Sequence, residues 1–478
     1  MAESLQKKTL LGMAWSFAES FSLQGISFLI GILIARVLSP SDYGMVGMLA
    51  VFTAVSQTII NSGFATAIVR KADRTQTDLS TAFYFNIVVA FILYFALFFS
   101  GPLIADFYNA PILSDLIKIA AIPLFINSLC IVQQAMFTIK MDFKTQAKIS
   151  VIASIVTGIV GIAMAYNGYG VWAIVFPSVI GATTRCLMLW WISRWRPSPV
   201  FSVKSFKELF SFGSKLLASG LLDTIYNNIY PIVIGKKFAA AELGYYSRAD
   251  AYSQLPATTV TGVLSRVTFP MVCEIQNDNE RLERVYRQLL RLSAFIVFPI
   301  MIGLAVLARP LIILMITAKW EMCIPMLQIL CFALMWYPTH ALNLSLLQVK
   351  GRSDMFLKLE IIKKIIGVAV ILVAIPFGII WMCVGKILSS VLCLAINTYY
   401  TGKLINIGFF KQMGDLLPML GYSLFMGIII YGTTFITESY LFQIIIGVFV
   451  GIIFYLGSAY LLKSKELLYL FSILKIRK

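Results

Sequence analysis

Charged residues are scarce in this chain of 478 residues, because Asp, Glu, Lys and Arg together make up only 13% of it. Soluble domains carry roughly 25% charged residues. A composition that is also 59% hydrophobic therefore excludes a water-soluble globule. The chain has one histidine, and its seven cysteines include no Cys-x-x-Cys pair. This scarcity argues against a structural zinc site and a disulfide framework, so we expect neither a metal nor a cofactor.

Motifs for ATP-driven or covalent chemistry are also missing. The absence of a P-loop argues against an ATP-driven pump built into the chain. Neither a nucleophile elbow nor the set of kinase motifs occurs, and we expect no catalytic residue. A membrane-embedded enzyme such as a polymer ligase or polymerase is further disfavoured, because catalysis of that kind needs a sizeable outer domain and all predicted outer loops are short.

Apolar runs of about 20 residues recur instead, which is the length that a helix needs to cross about 30 Å of hydrocarbon. Only helices and closed barrels satisfy their backbone groups in lipid, and these runs are too long for barrel strands. The sequence therefore predicts an all-α, polytopic membrane protein with about 14 transmembrane helices. The predicted spans are 10–35, 41–68, 80–104, 116–138, 146–166, 170–193, 210–235, 243–270, 289–309, 322–348, 357–377, 380–401, 416–436 and 440–462.

Lys and Arg alternate between the predicted loops, as expected when cytoplasmic loops collect cations. Of the 39 cations, 26 lie at the two ends of the chain and in every second loop, and only five lie in the intervening loops. This pattern predicts that both termini are cytoplasmic. Anionic lipid headgroups explain the net charge of +17, so nucleic acid is not an expected partner. Residues 278–291 are predicted to form an amphipathic helix on the inner surface.

The sequence motif of one predicted helix–helix corner occurs twice. In LIARVLSPSDYGMVGML (33–49), Ser39 is placed to cap a helix, with Pro40 at its first position and Asp42 near its positive end. In VIGKKFAAAELGYYSRA (233–249), the cation, the acid and the glycine recur at an offset of 200. A second match, at an offset of 210, relates KMDFKTQAK (140–148) to KGRSDMFLK (350–358).

These matches predict two six-helix repeats related by an axis along the membrane normal, as in parallel-repeat transporters. The predicted organisation has four parts. They are an N-terminal lobe (1–193), a cytoplasmic linker (194–209), a C-terminal lobe (210–401), and two additional helices with a basic cytoplasmic tail (402–478). The cleft between the two lobes is the expected place for cargo.

Eight cations but only four acids lie in or at the ends of the predicted spans. Charge in hydrocarbon is costly and usually faces a bundle interior or a water-filled cavity. The cationic excess therefore predicts an anionic cargo. The candidate substrate-binding residues are Lys215, Arg248, Arg266, Lys363, Lys364 and Lys386.

An alternative stays open for some of these cations. Lys215 and Arg266 are placed so that snorkelling from a helix end explains them equally well. Lys363 and Lys364 point about 100° apart because they are adjacent on a helix, so at most one of them need be functional. Lys386 lies toward the predicted outer end of its span and Lys363 toward the inner end, so they are candidates for opposite access states.

The first predicted span of each repeat has one acid well inside it: Glu19 in the first repeat and Asp223 in the second. They are candidates for carrying a coupling H⁺ or Na⁺. An internal ion pair with a cleft cation is the alternative, and the sequence does not decide between the two. For His340 in the tenth span, a neutral histidine that is hydrogen-bonded between helices is favoured over a proton relay.

Several segments resemble the polysaccharide transporter family. They are ARVLSPSDYG (35–44), NSGFATAIVRKADRTQTDLSTAFYFN (61–86), IADFYNAPILSDLIKIAAI (104–122), MDFKTQAKISVIAS (141–154) and NGYGVWA (167–173). Members of this family are flippases for lipid-linked oligosaccharides, in a superfamily that also holds multidrug antiporters and the lipid II flippase. The resemblance is strongest over the first predicted repeat.

The resemblance implies a two-lobed, fourteen-helix transporter in the bacterial cytoplasmic (inner) membrane. It implies that the cargo is an undecaprenyl-diphosphate-linked oligosaccharide repeat unit, moved to the outer leaflet by alternating access for capsule, O-antigen or exopolysaccharide export. The chain is similar to exporters of colanic-acid-type and teichuronic-type polymers. Membrane lipids are expected partners, and the polysaccharide polymerase and export machinery are further candidates. A cation-coupled exporter of drugs or small metabolites on the same scaffold is the alternative.

Overall fold

The structure is a computed structural model, and it describes residues 2–61, 63–461, 464 and 466–468. The side chains of these residues are described except for 2–14, 215, 267 and 353. Helices account for the regular secondary structure throughout the described ranges. Most of the predicted basic tail, residues 469–478, lies outside the described residues.

The first compact unit of the chain is Met1–Gly244. Its helices are α1 (Ala2–Val37), α2 (Pro40–Asn61), α3 (Phe64–Arg70), α4 (Gln76–Tyr108), α5 (Leu113–Ala120), α6 (Ile122–Ser128), α7 (Ile131–Ile139), α8 (Phe143–Tyr166), α9 (Trp172–Ser193), α10 (Val203–Asn227), α11 (Ile229–Lys237) and the beginning of α12 (Ala240–Glu274). Helix α8 packs between α1 and α9, and α10 packs against α2, α3 and α4.

The second unit is Tyr245–Lys478. It contains the rest of α12 and the helices α13 (Asn279–Val306), α14 (Ala308–Ile316), α15 (Cys323–Leu334), α16 (Tyr337–Val349), α17 (Ser353–Ala374), α18 (Ile379–Ile405), α19 (Phe409–Thr433) and α20 (Tyr440–Leu461). Two short 3-10 turns lie at Ala318–Trp320 and Ile375–Phe377. Helix α18 packs against α15, α16 and α17, and α19 packs between α13 and α20.

Where their residues are described, all the predicted spans fall on helices, although some of these helices are broken. Within the described ranges, ten helices are long and apolar enough to cross a membrane, and α5–α7, bent by 44°, adds an eleventh if it counts as one span. The predicted spans on α10, α12 and α17 are not among them. These three helices carry most of the candidate charges, which lower their hydropathy. The membrane-protein class is therefore confirmed, whereas the count of 14 stays a prediction.

At each of the two matching corners, an acid in the first turn of the helix accepts a hydrogen bond from the backbone N–H three residues earlier. At the first corner, the backbone N–H and the hydroxyl of Ser39 both donate to Asp42, at 2.9 and 2.6 Å, and the N–H of Asp42 donates to the Ser39 hydroxyl at 3.3 Å. At the second corner, the N–H of Ala239 donates to the Glu242 carboxylate at 3.1 Å. The predicted cap at Ser39 is confirmed, and the copy retains the capping acid without the Ser-Pro pair.

Two glycines let these corners touch. A Cβ atom added to Gly44 would lie 1.7 Å from the carbonyl oxygen of Ala240, and one added to Gly244 would lie 1.9 Å from the carbonyl oxygen of Pro40. The first turns of α2 and α12 therefore meet at backbone distance, and the contact is reciprocal. Because each neighbour is a main-chain atom, no change of rotamer makes room for a side chain.

The predicted linker, 194–209, is part of the first unit and packs against its other segments. The Trp195 indole N–H donates to the Gln76 side chain of α4 at 2.8 Å. The Lys71 amino group contacts the Glu208 carboxylate at 2.9 Å, and this hydrogen bond raises the pKa of Lys71. Helix α10 begins inside the predicted linker and continues it as regular structure.

An ion-pair network joins two arginines of α13 to an acid on α19 and to Glu466, which follows α20. Arg287 donates two hydrogen bonds to the Asp415 carboxylate of α19, at 2.7 and 2.8 Å. Arg291 contacts the same carboxylate at 3.5 Å and Glu466 at 3.1 Å. The predicted helix at 278–291 is present from Asn279 onward, and its position on the inner surface stays a prediction. The segment is the first part of α13, and two of its arginines pair with buried acids instead of lipid headgroups.

Candidate functional site

A group of polar side chains surrounds Lys386, inside the apolar helix α18. The Lys386 amino group donates to Asp250 Oδ1 at 2.7 Å and to the Tyr246 hydroxyl at 3.0 Å. The other carboxylate oxygen of Asp250 accepts a hydrogen bond from the Gln254 side-chain amide. We call Tyr246, Asp250, Gln254 and Lys386 the Lys386 cluster.

The three α12 members of the Lys386 cluster follow one another at intervals of four residues. That spacing places Tyr246, Asp250 and Gln254 on one face of the helix. The Lys386 and Asp250 side chains are 23% and 20% exposed, so both charges are mostly withdrawn from the surface. The Lys386 amino group also lies 5.5 Å from the centre of the Tyr246 ring, within cation–π range. An anion that approaches Lys386 therefore meets a carboxylate already hydrogen-bonded to the ammonium group.

Sequence reasoning named Lys386 as a site residue but missed its partner. Asp250 was visible as one of the few acids inside a predicted span, but its pairing across 136 residues was not. The polar residues at Tyr246, Asp250 and Gln254 were the available signal. Such a stripe along a predicted membrane helix indicates a face turned toward polar neighbours.

A second cation–acid pair lies on α17. Lys363 and Glu360 are three residues apart on the helix and form an ion pair, with 14% and 27% of their side chains exposed. The adjacent Lys364 is half-buried and, one residue further along, leaves the helix in another direction. The Lys363–Glu360 pair agrees with the expectation that the two adjacent lysines have different surroundings.

The histidine of the tenth predicted span lies near this pair. His340 Nδ1 is 3.1 Å from the Asn397 amide nitrogen, and Nε2 is 3.1 Å from the Ser390 hydroxyl. With the Asn397 amide as donor, Nδ1 is the acceptor and the proton of a neutral ring is on Nε2. The Ser390 hydroxyl then accepts from Nε2 and donates to the Ala333 carbonyl at 3.2 Å. This geometry agrees with the hydrogen-bonded, neutral histidine that the sequence favoured.

Arg266 lies on α12, 16 residues beyond Asp250 and so about 24 Å further along the helix. Its exposed side chain borders a cavity of about 470 Å³. Ser265, Ser345 and Gln348 supply polar groups to this cavity. Its described lining includes no carboxylate. Arg266 and these neighbours can hydrogen-bond an anion or a sugar without an internal competitor.

The other candidate residues lie on α1, α10 and α12. Arg248 is half-buried on α12, between the Tyr246 and Asp250 positions. Lys215 lies on α10, and its side chain is outside the described part of the chain. Glu19, on α1, is half-buried, and Asp223, on α10, is exposed beside Thr224. Both acids belong to the unit Met1–Gly244, and their role in ion coupling stays a prediction.

An apolar cavity of about 520 Å³ lies among α13, α14, α19 and α20. Its walls are mainly aliphatic and aromatic side chains, together with Gly303 and Gly451. A cavity of this composition can hold a hydrocarbon chain.

A family model described as "Polysaccharide biosynthesis protein" matches residues 33–325. The chain is 25% identical over 444 residues to the teichuronic acid biosynthesis protein TuaB of Bacillus subtilis, with 92% of each chain covered. It is also 25% identical over 401 residues to the lipopolysaccharide biosynthesis protein WzxC of Escherichia coli, with 83% of this chain and 80% of that protein covered.

Among solved structures, the fold is similar to that of the lipid II flippase MurJ in an inward closed conformation. The TM-score is 0.74 at 17% sequence identity, over 95% of this chain and 99% of the MurJ chain. At this level of identity the similarity shows the fold alone. It confirms the predicted all-α, polytopic architecture.

Proposed function

Because the chain belongs to the polysaccharide biosynthesis protein family, we propose that it is a flippase for undecaprenyl-diphosphate-linked oligosaccharide repeat units. It moves them across the bacterial cytoplasmic membrane by alternating access and is a transporter rather than an enzyme. Relatives named for teichuronic acid and lipopolysaccharide biosynthesis, matched over most of their length, support this assignment. The fold shared with a lipid II flippase is consistent with it.

The observation that carries the proposal is Lys386, an ammonium group within an apolar helix long enough to span a membrane. Such a group is retained where it faces a polar passage and serves transport. In the spans on α12, α17 and α18, the five candidate cations outnumber the two acids, Asp250 and Glu360. The surplus positive charge is suited to a diphosphate, which carries several negative oxygens.

Other features suit the remaining parts of this cargo. The cavity at Arg266 offers hydroxyl and amide groups, which can hydrogen-bond sugar hydroxyls or phosphate oxygens. The apolar cavity among α13, α14, α19 and α20 is suited to an isoprenoid chain. Both termini are proposed to be cytoplasmic, from the distribution of Lys and Arg.

A reconstitution experiment tests the proposed function. The purified protein is placed in phospholipid vesicles with a labelled undecaprenyl-diphosphate-linked oligosaccharide, and the outer-leaflet fraction is followed over time with and without H⁺ and Na⁺ gradients. We expect protein-dependent translocation of the glycolipid. Failure to move any such glycolipid, together with uptake of drug cations, would favour the small-molecule exporter instead.

Lys386→Ala is expected to lower the translocation rate about tenfold or more, because it removes a charge-assisted contact of about 1.5–3 kcal/mol. The measurement is the initial rate in the vesicle assay at equal reconstituted protein. Lys237→Ala is the matched control, since Lys237 is an exposed lysine in the last turn of α11. Equal rates for Lys386→Ala and the unmodified protein would contradict a role of Lys386 in binding cargo.

Asp223→Asn is expected to abolish the stimulation of transport by an ion gradient, because the variant keeps the size of the side chain but cannot release a proton or hold Na⁺ by charge. Glu19→Gln tests the other proposed coupling acid in the same way. The measurement is the ratio of rates with and without each gradient. If both variants keep the ratio of the unmodified protein, coupling resides elsewhere.

A further inference from the structure

The Asp250 carboxylate accepts a hydrogen bond from the Lys386 ammonium group, as a phosphate oxygen could. The distance of 2.7 Å between the Lys386 amino group and Asp250 Oδ1 is that of a charge-assisted hydrogen bond between an ammonium and an anionic oxygen. The Gln254 amide binds the second carboxylate oxygen and so fixes the orientation of the carboxylate. Lys386 is therefore already occupied by an anion that belongs to the protein.

The same arrangement recurs at Lys363, whose partner Glu360 comes from its own helix. By contrast, the described lining of the Arg266 cavity supplies only hydroxyl, amide and apolar groups. Lys386 and Lys363 thus have carboxylate partners, whereas the described lining of the Arg266 cavity contains no carboxylate. Among these three candidate cations, the two lysines that are less exposed are the ones with a carboxylate partner.

A carrier that works by alternating access must return without its cargo. An ammonium group enclosed in a closed passage without an anion is costly, because water no longer compensates its charge. The cost disappears if a nearby carboxylate binds the ammonium while the carrier is empty. The cargo then has to displace this carboxylate, which limits its affinity and favours release.

We propose that Asp250 is an internal substitute for the cargo phosphate: it occupies Lys386 in the empty carrier and gives way to the diphosphate of the lipid-linked glycan. This inference rests on the proposed function and adds to it a residue that competes with the cargo. A purely structural ion pair makes the opposite prediction, because its loss would weaken the site rather than increase its affinity.

The test is Asp250→Asn, which keeps the shape of the side chain and removes its charge. Binding is measured in detergent with undecaprenyl diphosphate as the probe. We expect the variant to bind it about tenfold more tightly, as for the loss of one competing charge-assisted contact. In vesicles, we expect the variant to lose net translocation but to keep one-for-one exchange of glycolipid between leaflets, because only the empty return is impaired.

Glu242→Gln is the matched control, since Glu242 lies on the same helix but accepts a hydrogen bond from the Ala239 backbone at the corner. If Asp250→Asn does not fold, Gln254→Ala takes its place, because it releases the second oxygen of the same carboxylate; about threefold tighter binding is then expected. Unchanged or weaker binding by the folded variant, or equal loss of net flux and exchange, overturns the inference. Absence of glycolipid transport by the unmodified protein overturns the proposed function itself, and the inference with it.

Discussion

Asp415→Asn is expected to lower the free energy of unfolding of the second unit by about 3 kcal/mol. Removing one partner of a buried ion pair costs about 3–5 kcal/mol, because it leaves opposite charges without compensation. The lower end applies here because Asp415 is 5% exposed whereas Arg287 is 38% exposed and keeps part of its hydration. Arg287 and Arg291 would both lose their shared carboxylate, and α13 would be held less firmly against α19.

The measurement is thermal unfolding in detergent, followed with a thiol-reactive fluorophore. Four buried cysteines of the second unit, Cys323, Cys331, Cys383 and Cys393, report its opening. The matched control is Asp354→Asn, because Arg352 also donates two hydrogen bonds to this aspartate, at 3.1 Å each, but both side chains are well exposed. We expect no measurable shift in the control. Equal shifts for both variants would contradict a stabilising role of burial at Asp415.

Gly44→Ala is expected to be strongly destabilising, although alanine normally favours a helix. The added methyl group would lie 1.7 Å from the Ala240 carbonyl oxygen, so the two helices must separate at this point. Overpacking of this kind costs about 1–3 kcal/mol or more. Gly244→Ala is expected to behave alike, because its methyl group meets the Pro40 carbonyl oxygen. The double variant should cost less than the sum, since the first substitution already separates the shared contact.

Gly262→Ala is the control on α12, because no atom lies within 4 Å of a Cβ atom added there. This substitution is expected to raise the free energy of unfolding by up to about 1 kcal/mol, because alanine favours a helix more than glycine does. The measurement is the midpoint temperature of thermal unfolding of the three single variants in the same detergent. A destabilised Gly262→Ala, or a Gly44→Ala as stable as the unmodified protein, would contradict the contact at the corners.

The architecture was predictable where it depends on local physics. Apolar runs of bilayer length fixed the positions of the helices, and the acid at Asp42 identified a helix start. The offset of 200 between Gly44 and Gly244 showed that the corner is repeated. What the sequence did not reveal is that these two glycines touch the first residues of each other's helices, because a repeat in sequence carries no information about the distance between its copies.

The site was predictable as a set of residue types but not as a set of pairs. Lys386 stood out because an isolated ammonium in an apolar run is rare. Its bond to Asp250 joins residues far apart in sequence, and so does the bond between Arg287 and Asp415. The arginines of 278–291 fitted the statistics of cytoplasmic loops, and those statistics do not distinguish a cation at a lipid headgroup from one bound to a buried acid.

The reciprocal corner contact also determines which substitutions the corners tolerate. Each glycine meets a carbonyl oxygen, an atom that every amino acid has, so positions 40 and 240 accept different residues without altering the contact. This explains why the second copy carries Ala240 where the first carries Pro40, while glycine stands at 44 and 244 in both. Saturation mutagenesis should therefore yield many functional residues at 40 and 240 and only glycine at the other two positions.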